Sequence, residues 1–276
     1  MNAFQALLLG IVEGITEYLP VSSTGHLILV QRVLGIEATE SANSFAICIQ
    51  SGAIVAVLGF YSSRFRQMLD GLAGRNKKGR QLCFYLLISL IPSILVGVTL
   101  NDLIKHYLFD LWTITLAWFV GGLFILAIPH IRSRSPSAEK NYSLNQLTWK
   151  MALLIGLVQC LAMWPGLSRS MVTISCGVIF GLHLMAAVEY SFLLGMLTLT
   201  GATVYEMASS GFAIADDYSW LYLTVGFFSA TFSAWITINW LIRYLNQHSL
   251  AIFGYYRIVL AMVVACWLLS IILSGS

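Results

Sequence analysis

The sequence predicts an all-α polytopic membrane protein with six full transmembrane helices and two re-entrant helix-loop-helix hairpins. Its 276 residues are 58% hydrophobic and only 10% charged, and the mean hydropathy of +0.82 exceeds what the core of a soluble domain requires. Uncharged runs of about 20 residues, the length that crosses the hydrocarbon of a bilayer, recur along the chain. Two further apolar stretches are each interrupted halfway by proline, glycine, serine and charged residues.

The first interrupted stretch, 4–35, is the predicted first hairpin. Pro20 ends its first helix, because proline lacks an N–H donor and restricts the residue before it. The serines that follow are typical residues for the start of a second helix. A return loop at membrane depth requires protein or a water-filled cavity around it.

The remaining elements follow in order and make 1–276 a single integral membrane domain. Three full spans are predicted at 42–63, 81–101 and 111–131. The second hairpin, 151–184, is broken at WPGLSRS. Three more spans are predicted at 190–205, 218–242 and 258–276.

Basic residues between the spans predict the orientation. They gather at 64–80, at 132–150 and at Arg243 with Arg257, and the positive-inside rule places such loops in the cytoplasm. The alternate loops carry acidic residues, including Asp102, Asp110, Asp216 and Asp217. The six spans then cross the membrane in alternating directions, which places the C-terminus outside. The two hairpins enter the membrane from opposite faces, the first of them from outside.

An internal repeat supports this arrangement. ALLLGIVEG at 6–14 resembles ALLIGLVQC at 152–160, and LPVSSTG at 19–25 resembles WPGLSRS at 164–170 with a shift of one residue. Similar units that enter from opposite faces are inverted-topology repeats, which build a site near the bilayer midplane. We therefore predict repeats at about 1–130 and 148–276, with a polar cavity between the two loop tips.

The first hairpin carries two carboxylates at helical spacing. Glu13 and Glu17 are four residues apart, so they lie on one helix face. This spacing suits a shared divalent cation, Mg²⁺ or Ca²⁺, and it equally suits one carboxylate kept protonated by its neighbour. A solvated helix end is the alternative, but ionisable residues at membrane depth usually mark function.

The loop of the first hairpin is rich in hydroxyl groups. Ser22, Ser23, Thr24 and Gly25 precede or open its second helix, and a helix N-terminus with free N–H groups binds phosphate readily. An ordinary helix cap is the alternative. His26 follows Ser23 by three residues, so its imidazole is a candidate general base for that hydroxyl.

The second hairpin supplies a cation. Arg169 is its only lysine or arginine, flanked by Ser168, Ser170 and Thr173. A guanidinium group grips phosphate oxygens with two parallel hydrogen bonds and stays charged. The alternative is an ion pair with a carboxylate of the first hairpin. Both are compatible if Arg169 forms the ion pair in the empty site and binds phosphate in the occupied one.

Two motifs, one in each predicted hairpin, resemble those of a known family. EGITEYLPVSSTGH at 13–26 and PGLSRSMVT at 165–173 are similar to the two signatures of the undecaprenyl-diphosphatase family, the BacA or UppP proteins. The resemblance implies an integral phosphatase of the bacterial plasma (inner) membrane that hydrolyses undecaprenyl diphosphate to undecaprenyl phosphate and inorganic phosphate. That reaction recycles the lipid carrier of peptidoglycan precursors and is associated with bacitracin resistance.

The resemblance also implies roles for individual residues. Glu13 and Glu17 correspond to the acidic pair linked with the metal, and Ser23 and His26 to the nucleophile and its base. The phosphate-binding positions are Ser22, Thr24, Gly25, Ser168, Arg169, Ser170 and Thr173. A phosphoserine intermediate and attack by an activated water both remain open, and the charge count places the site opening at the outer face.

Other classes of protein share part of this pattern. An ion-coupled transporter or polyprenyl-phosphate flippase is the main alternative, because paired broken helices with midplane carboxylates also describe carriers. The net charge of +3 is too small to indicate a nucleic-acid partner. The expected partners are the lipid substrate and the surrounding membrane lipid, and the sequence leaves a homodimer open.

Overall fold

The computed structural model describes residues 1–37, 39–137, 139–210 and 219–274. Within these ranges the secondary structure is helical, and the only β feature is an isolated bridge between Tyr142 and Leu182. The helices are α1 Ala3–Thr16, α2 Ser23–Val33, α3 Glu40–Phe60, α4 Ser62–Leu72, α5 Lys77–Leu108, α6 Leu111–Ser133, α7 Trp149–Gln159, α8 Arg169–Ile179, α9 Leu184–Ser210, α10 Trp220–Leu245 and α11 Ala251–Ser274, with 3₁₀ turns at Leu144–Gln146 and Cys160–Met163.

Five of these helices are long and apolar enough to cross a membrane: α5, α6, α9, α10 and α11. A sixth span is obtained if α3 and α4, which meet at an angle of 83°, count as one bent unit. The predicted all-α membrane class is therefore confirmed. The predicted span at 42–63 corresponds to α3, which ends at Phe60, and the chain turns at Tyr61 into α4. Asp216 and Asp217 lie outside the described residues.

Local signals explain where several helices begin. Asn2 and Gln5 form reciprocal side-chain to backbone hydrogen bonds of 2.8 and 2.9 Å at the start of α1. Asp110 accepts from the backbone N–H of Trp112 at 2.8 Å and opens α6. These caps satisfy N–H groups that have no partner within the helix.

The two hairpins share one register in the structure. Their first helices begin at Ala3 and Trp149, and their second helices, Ser23–Val33 and Arg169–Ile179, are displaced by the same number of residues. The shift of one residue seen in the sequence comparison is therefore absent from the structure. The reason is that the helix starts, not the prolines, occupy equivalent positions.

Small residues let the hairpins pack closely against long helices. α1 lies against α10 and α7 lies against α5. A Cβ atom at Gly10 would collide with the carbonyl of Gly226, and one at Gly156 with the backbone of Ser89. Such small-residue contacts are typical of helix pairs in membranes, and here they hold α1 against α10 and α7 against α5.

Candidate active site

The two loop tips adopt the same unusual backbone conformation. Ser22 and Ser168, each immediately before its second helix, have φ angles of 75° and 74°. Non-glycine residues adopt this left-handed region rarely, and such strain concentrates at functional sites. The Ser168 hydroxyl accepts from the N–H of Met171 at 3.2 Å and caps its own helix. The Ser22 hydroxyl instead accepts from the N–H of Gly166 at 3.1 Å and so joins the two tips.

Arg257 lies behind both tips. Its guanidinium donates to five backbone carbonyls at 2.7–3.3 Å, and the side chain is completely buried. The acceptors are Pro20 on the first tip, Gly166 and Leu167 on the second, and Ala117 and Trp118 on α6. The interpretation of Arg257 as a loop anchor of the positive-inside type is therefore wrong, because α11 begins six residues earlier and carries it into the core.

Replacing Arg257 with methionine is expected to lower the free energy of unfolding by at least about 3 kcal/mol, since each buried carbonyl left without a donor costs about 1–3 kcal/mol. Thermal unfolding of the purified protein in detergent measures the loss. Arg243→Met, at an exposed position near the end of α10, is the matched control. Equal melting temperatures for the two variants would contradict the role of Arg257 as the structural link between the tips.

Glu17 joins the predicted nucleophile to the predicted cation. The Ser23 hydroxyl donates to Oε2 of Glu17, and Arg169 Nη2 donates to Oε1 at 2.7 Å. Arg169 also donates through Nη1 to the carbonyl of Ser191 at 3.0 Å. Both side chains of the ion pair are largely buried, so the pairing of Arg169 with a carboxylate of the first hairpin, the alternative to phosphate binding in the sequence analysis, is present.

Glu13 is the deeper member of the acidic pair. Its side chain is fully buried, and neither carboxylate oxygen has a hydrogen-bond partner among the described residues. Glu17 and Arg169 both interact with it electrostatically. An unpaired buried carboxylate is costly unless a proton or a cation neutralises it. Within the described residues, no group of three or more His, Cys, Asp and Glu side chains is placed to hold a metal ion, so any cation here would need oxygen ligands of other kinds.

His26 does not bond to the Ser23 hydroxyl, which corrects that expectation. Its Nδ1 lies 2.7 Å from the carbonyl oxygen of Ser22, and its Nε2 lies 2.8 Å from the hydroxyl of Tyr256. The ring also stacks on Tyr256 with a centroid distance of 5.8 Å. Both nitrogens are therefore engaged on the far side of the loop, whereas Ser23 turns to the carboxylate of Glu17.

A cavity of about 310 Å³ opens beside these groups. Of the predicted site residues, it is lined by Glu17, Ser22, Ser23, Thr24, Ser168 and Arg169. Its remaining wall contains polar side chains from other helices, including Gln50, Ser93, Gln159 and Thr198, which the sequence reasoning did not place in the site. The cavity thus brings hydroxyl, carboxylate, guanidinium and amide groups together.

Three residues predicted to contact phosphate are buried and do not line the cavity. Ser170 donates to the carbonyl of Leu19 at 2.8 Å. The Thr173 hydroxyl lies 2.6 Å from that of Ser191. A Cβ atom at Gly25 would press on the Trp118 ring. In this structure these contacts tie the three residues to neighbouring elements, and direct phosphate contact by them stays a prediction.

The fold and the site together define an integral membrane protein with a cavity between the tips of two helical hairpins and the neighbouring helices, lined in part by charged and polar side chains. The chain belongs to the bacitracin resistance protein BacA family, whose family model matches residues 6–263. It is 43% identical to the undecaprenyl-diphosphatase of Ectopseudomonas mendocina, over 98% of this chain and 96% of the relative. It is 41% identical to the undecaprenyl-diphosphatase of Methylococcus capsulatus, over 94% and 92%, and 37% identical to undecaprenyl-diphosphatase 3 of Acinetobacter baylyi, over 96% and 97%.

Proposed function

We propose that this protein is a membrane phosphatase that hydrolyses undecaprenyl diphosphate to undecaprenyl phosphate and inorganic phosphate. Full-length similarity to proteins of that name supports the assignment, as does membership of the bacitracin resistance family. The observation that carries it is the contact of Ser23 and Arg169 with one buried carboxylate, Glu17, at the wall of a cavity. The physiological consequence is recycling of the lipid carrier for peptidoglycan synthesis.

The chemistry follows from these contacts. Glu17 accepts the Ser23 proton as Oγ attacks the terminal phosphorus, and the bond from that phosphorus to the bridging oxygen breaks. Undecaprenyl phosphate leaves, and water then releases inorganic phosphate from the serine. Arg169 turns its N–H donors to the phosphate oxygens. The positive charge of its guanidinium stabilises the negative charge of the transition state for phosphoryl transfer. Glu17 takes the base role proposed earlier for His26, which instead positions the loop through Ser22 and Tyr256.

We propose that Glu13 and Glu17 hold a divalent cation, Mg²⁺ or Ca²⁺. The fit rests on the two unpartnered oxygens of Glu13 in a fully buried position. Both ions prefer oxygen ligands, and Mg²⁺ is commonly bound by one or two carboxylates together with substrate phosphates. A bound cation would neutralise charge that builds on the phosphate oxygens.

We further propose the membrane arrangement that the charge pattern predicts. It comprises six spans and the re-entrant hairpins 4–35 and 151–184, within inverted repeats at about 1–130 and 148–276. The common displacement of the two hairpins supports the repeat. The site would open to the outer face of the plasma membrane, with the C-terminus outside. Cysteine-accessibility labelling in intact cells tests these sides, and light scattering of the purified protein tests a homodimer.

Phosphate release by the purified protein in detergent tests the function. We expect turnover of undecaprenyl diphosphate without any membrane gradient, and we expect excess EDTA to abolish it and Mg²⁺ or Ca²⁺ to restore it. A transporter or flippase would release no phosphate under these conditions. Undiminished turnover in EDTA would contradict the proposed cation.

Ser23→Ala separates the two chemical routes. We expect turnover to fall by about a thousandfold or more, because the variant lacks the attacking hydroxyl. Acid-quenched wild-type protein incubated with substrate labelled at the terminal phosphate is expected to carry phosphoserine at position 23, detected by mass spectrometry. Substantial turnover by Ser23→Ala would instead indicate that water attacks directly.

A further inference from the structure

A second polar pair lies in the wall of the cavity. Gln159, the last residue of α7, is 3% exposed and lines the cavity with Glu17 and Arg169. Its Nε2 donates to the hydroxyl of Ser93 on α5 at 2.6 Å, and Ser93 also lines the cavity. The other amide atom, Oε1, is buried and has no hydrogen-bond partner among the described residues. A buried acceptor without a donor is rare in folded proteins and calls for a ligand or another explanation.

Gln159 occupies the position in the second hairpin that Glu13 occupies in the first. The two residues are separated by the same displacement that relates the hairpin helices, and both are buried with unpartnered oxygens. The chemical difference is that glutamine is neutral and carries two N–H donors, whereas glutamate only accepts when ionised. The first hairpin therefore carries a carboxyl group at this position, and the second hairpin carries a hydrogen-bond donor.

The Ser93 hydroxyl permits both orientations of the amide, since a hydroxyl donates as well as accepts. A half turn about the Cγ–Cδ bond lets Ser93 donate to Oε1 and directs the NH₂ group away from Ser93. In that orientation Oε1 gains its missing donor, and the NH₂ group carries two N–H bonds without a partner among the described residues. The anion that best matches two such donors near Arg169 is a phosphate group.

We propose that Gln159, oriented by Ser93, donates hydrogen bonds to phosphate oxygens of the bound diphosphate and so forms a phosphate subsite on the second hairpin. This inference rests on the proposed function, because it assumes a diphosphate headgroup in the cavity. It assigns the second hairpin a neutral donor in addition to the charge of Arg169.

Steady-state kinetics on three variants test the subsite. Gln159→Met keeps the side-chain length but removes the donors, and we expect it to raise KM for undecaprenyl diphosphate about tenfold with little change in kcat, since a hydrogen bond to a charged group is lost. Gln159→Glu is expected to raise KM further, because a carboxylate repels phosphate. Ser93→Ala is expected to raise KM by a smaller factor, because the amide loses its orienting partner. Gln31→Met is the matched control: Gln31 is also buried, but it bonds to the carbonyl of Ala42 and does not line the cavity.

Titration with inorganic pyrophosphate, followed by the shift in melting temperature, gives a readout independent of turnover. We expect Gln159→Met to bind pyrophosphate about tenfold more weakly than the wild type and Gln31→Met to bind it equally well. A folded Gln159→Met protein with wild-type KM and wild-type pyrophosphate affinity would overturn the subsite. Tighter pyrophosphate binding by Gln159→Glu in Mg²⁺ would also overturn it, because the amide oxygen would then be a cation ligand.

These experiments also distinguish a failure of the proposed subsite from a failure of the proposed function. A wild-type protein that releases no phosphate from undecaprenyl diphosphate refutes the function, while the pyrophosphate titrations still decide the subsite. If Gln159→Met does not give a monodisperse sample, Gln159→Glu and Ser93→Ala decide it. Unchanged pyrophosphate affinity in both would refute it.

Discussion

Glu17→Gln is expected to lower turnover of undecaprenyl diphosphate by at least about a thousandfold, within the range that removal of a general base produces. The carboxylate accepts the hydroxyl proton of Ser23 and also bonds to Arg169 at 2.7 Å. An amide of the same size can accept one hydrogen bond but cannot take a proton from a serine hydroxyl. Phosphate release by the purified variant in detergent, with the divalent cation saturating, measures the loss.

The matched control for this change is Glu189→Gln. Glu189 also pairs with an arginine, Arg64, at 2.5 Å, but it lines a different cavity beside Tyr61. Wild-type turnover is expected there. Similar turnover by Glu17→Gln and Glu189→Gln would show that the acid at position 17 has no part in the chemistry.

Stability has to be measured beside activity, because Arg169 is left without its partner in Glu17→Gln. Loss of one partner of a buried ion pair costs about 3–5 kcal/mol. The double variant Glu17→Gln/Arg169→Gln removes both charges, and we expect it to recover much of the melting temperature without recovering turnover. That pattern separates the chemical role of the pair from its structural role.

Arg169→Lys is expected to reduce turnover by about a hundredfold or more, the loss typical of removing a donor aimed at developing charge. The guanidinium reaches Glu17 and the carbonyl of Ser191 simultaneously. A lysine ammonium is a single point charge and cannot reproduce this fork or a bidentate grip on phosphate. Kinetics of the folded variant at saturating cation measure the effect, and wild-type kinetics would end the assignment.

Gly195→Ala tests the same guanidinium without changing its chemistry. Arg169 lies directly against Gly195 of α9, where an added Cβ atom would overlap Nη1. We expect the methyl group to displace the guanidinium and lower turnover, although alanine favours the helix more than glycine. Gly201→Ala on the same helix is the control, because open space surrounds that position. Equal, undiminished activity of the two variants would contradict the required placement of Arg169.

The sequence was sufficient for the class of fold and most helix positions. Hydropathy alone indicates apolar segments, and proline, serine and glycine mark the breaks at both hairpin loops. The bend at Tyr61 was missed because Gly59, the nearest residue that could mark a break, lies within an uncharged apolar run and inside α3. The start of α11 was missed for a related reason: Arg257 looks like a loop residue whenever its carbonyl partners are unknown.

The site was predictable in its residue types and less so in its contacts. The two motifs correctly brought Glu17, Ser23 and Arg169 together across the two hairpins. The bond from His26 to Tyr256 was not predictable, since no local spacing relates residues 230 positions apart. The internal repeat aligns Gln159 with Glu13, so the sequence marks this position. A role for an amide there could be inferred only from the cavity that Gln159 lines.

The sequence by itself determined the membrane class, the broken helices and the acid, hydroxyl and guanidinium groups of the site, because these depend on local composition and helical period. Only the tertiary structure decided which groups meet. α1 packs on α10 and α7 packs on α5, while Arg257 joins the two tips through three of their carbonyls and bonds to two more on α6. Those contacts join residues far apart in the chain, where neither periodicity nor propensity carries information about distance.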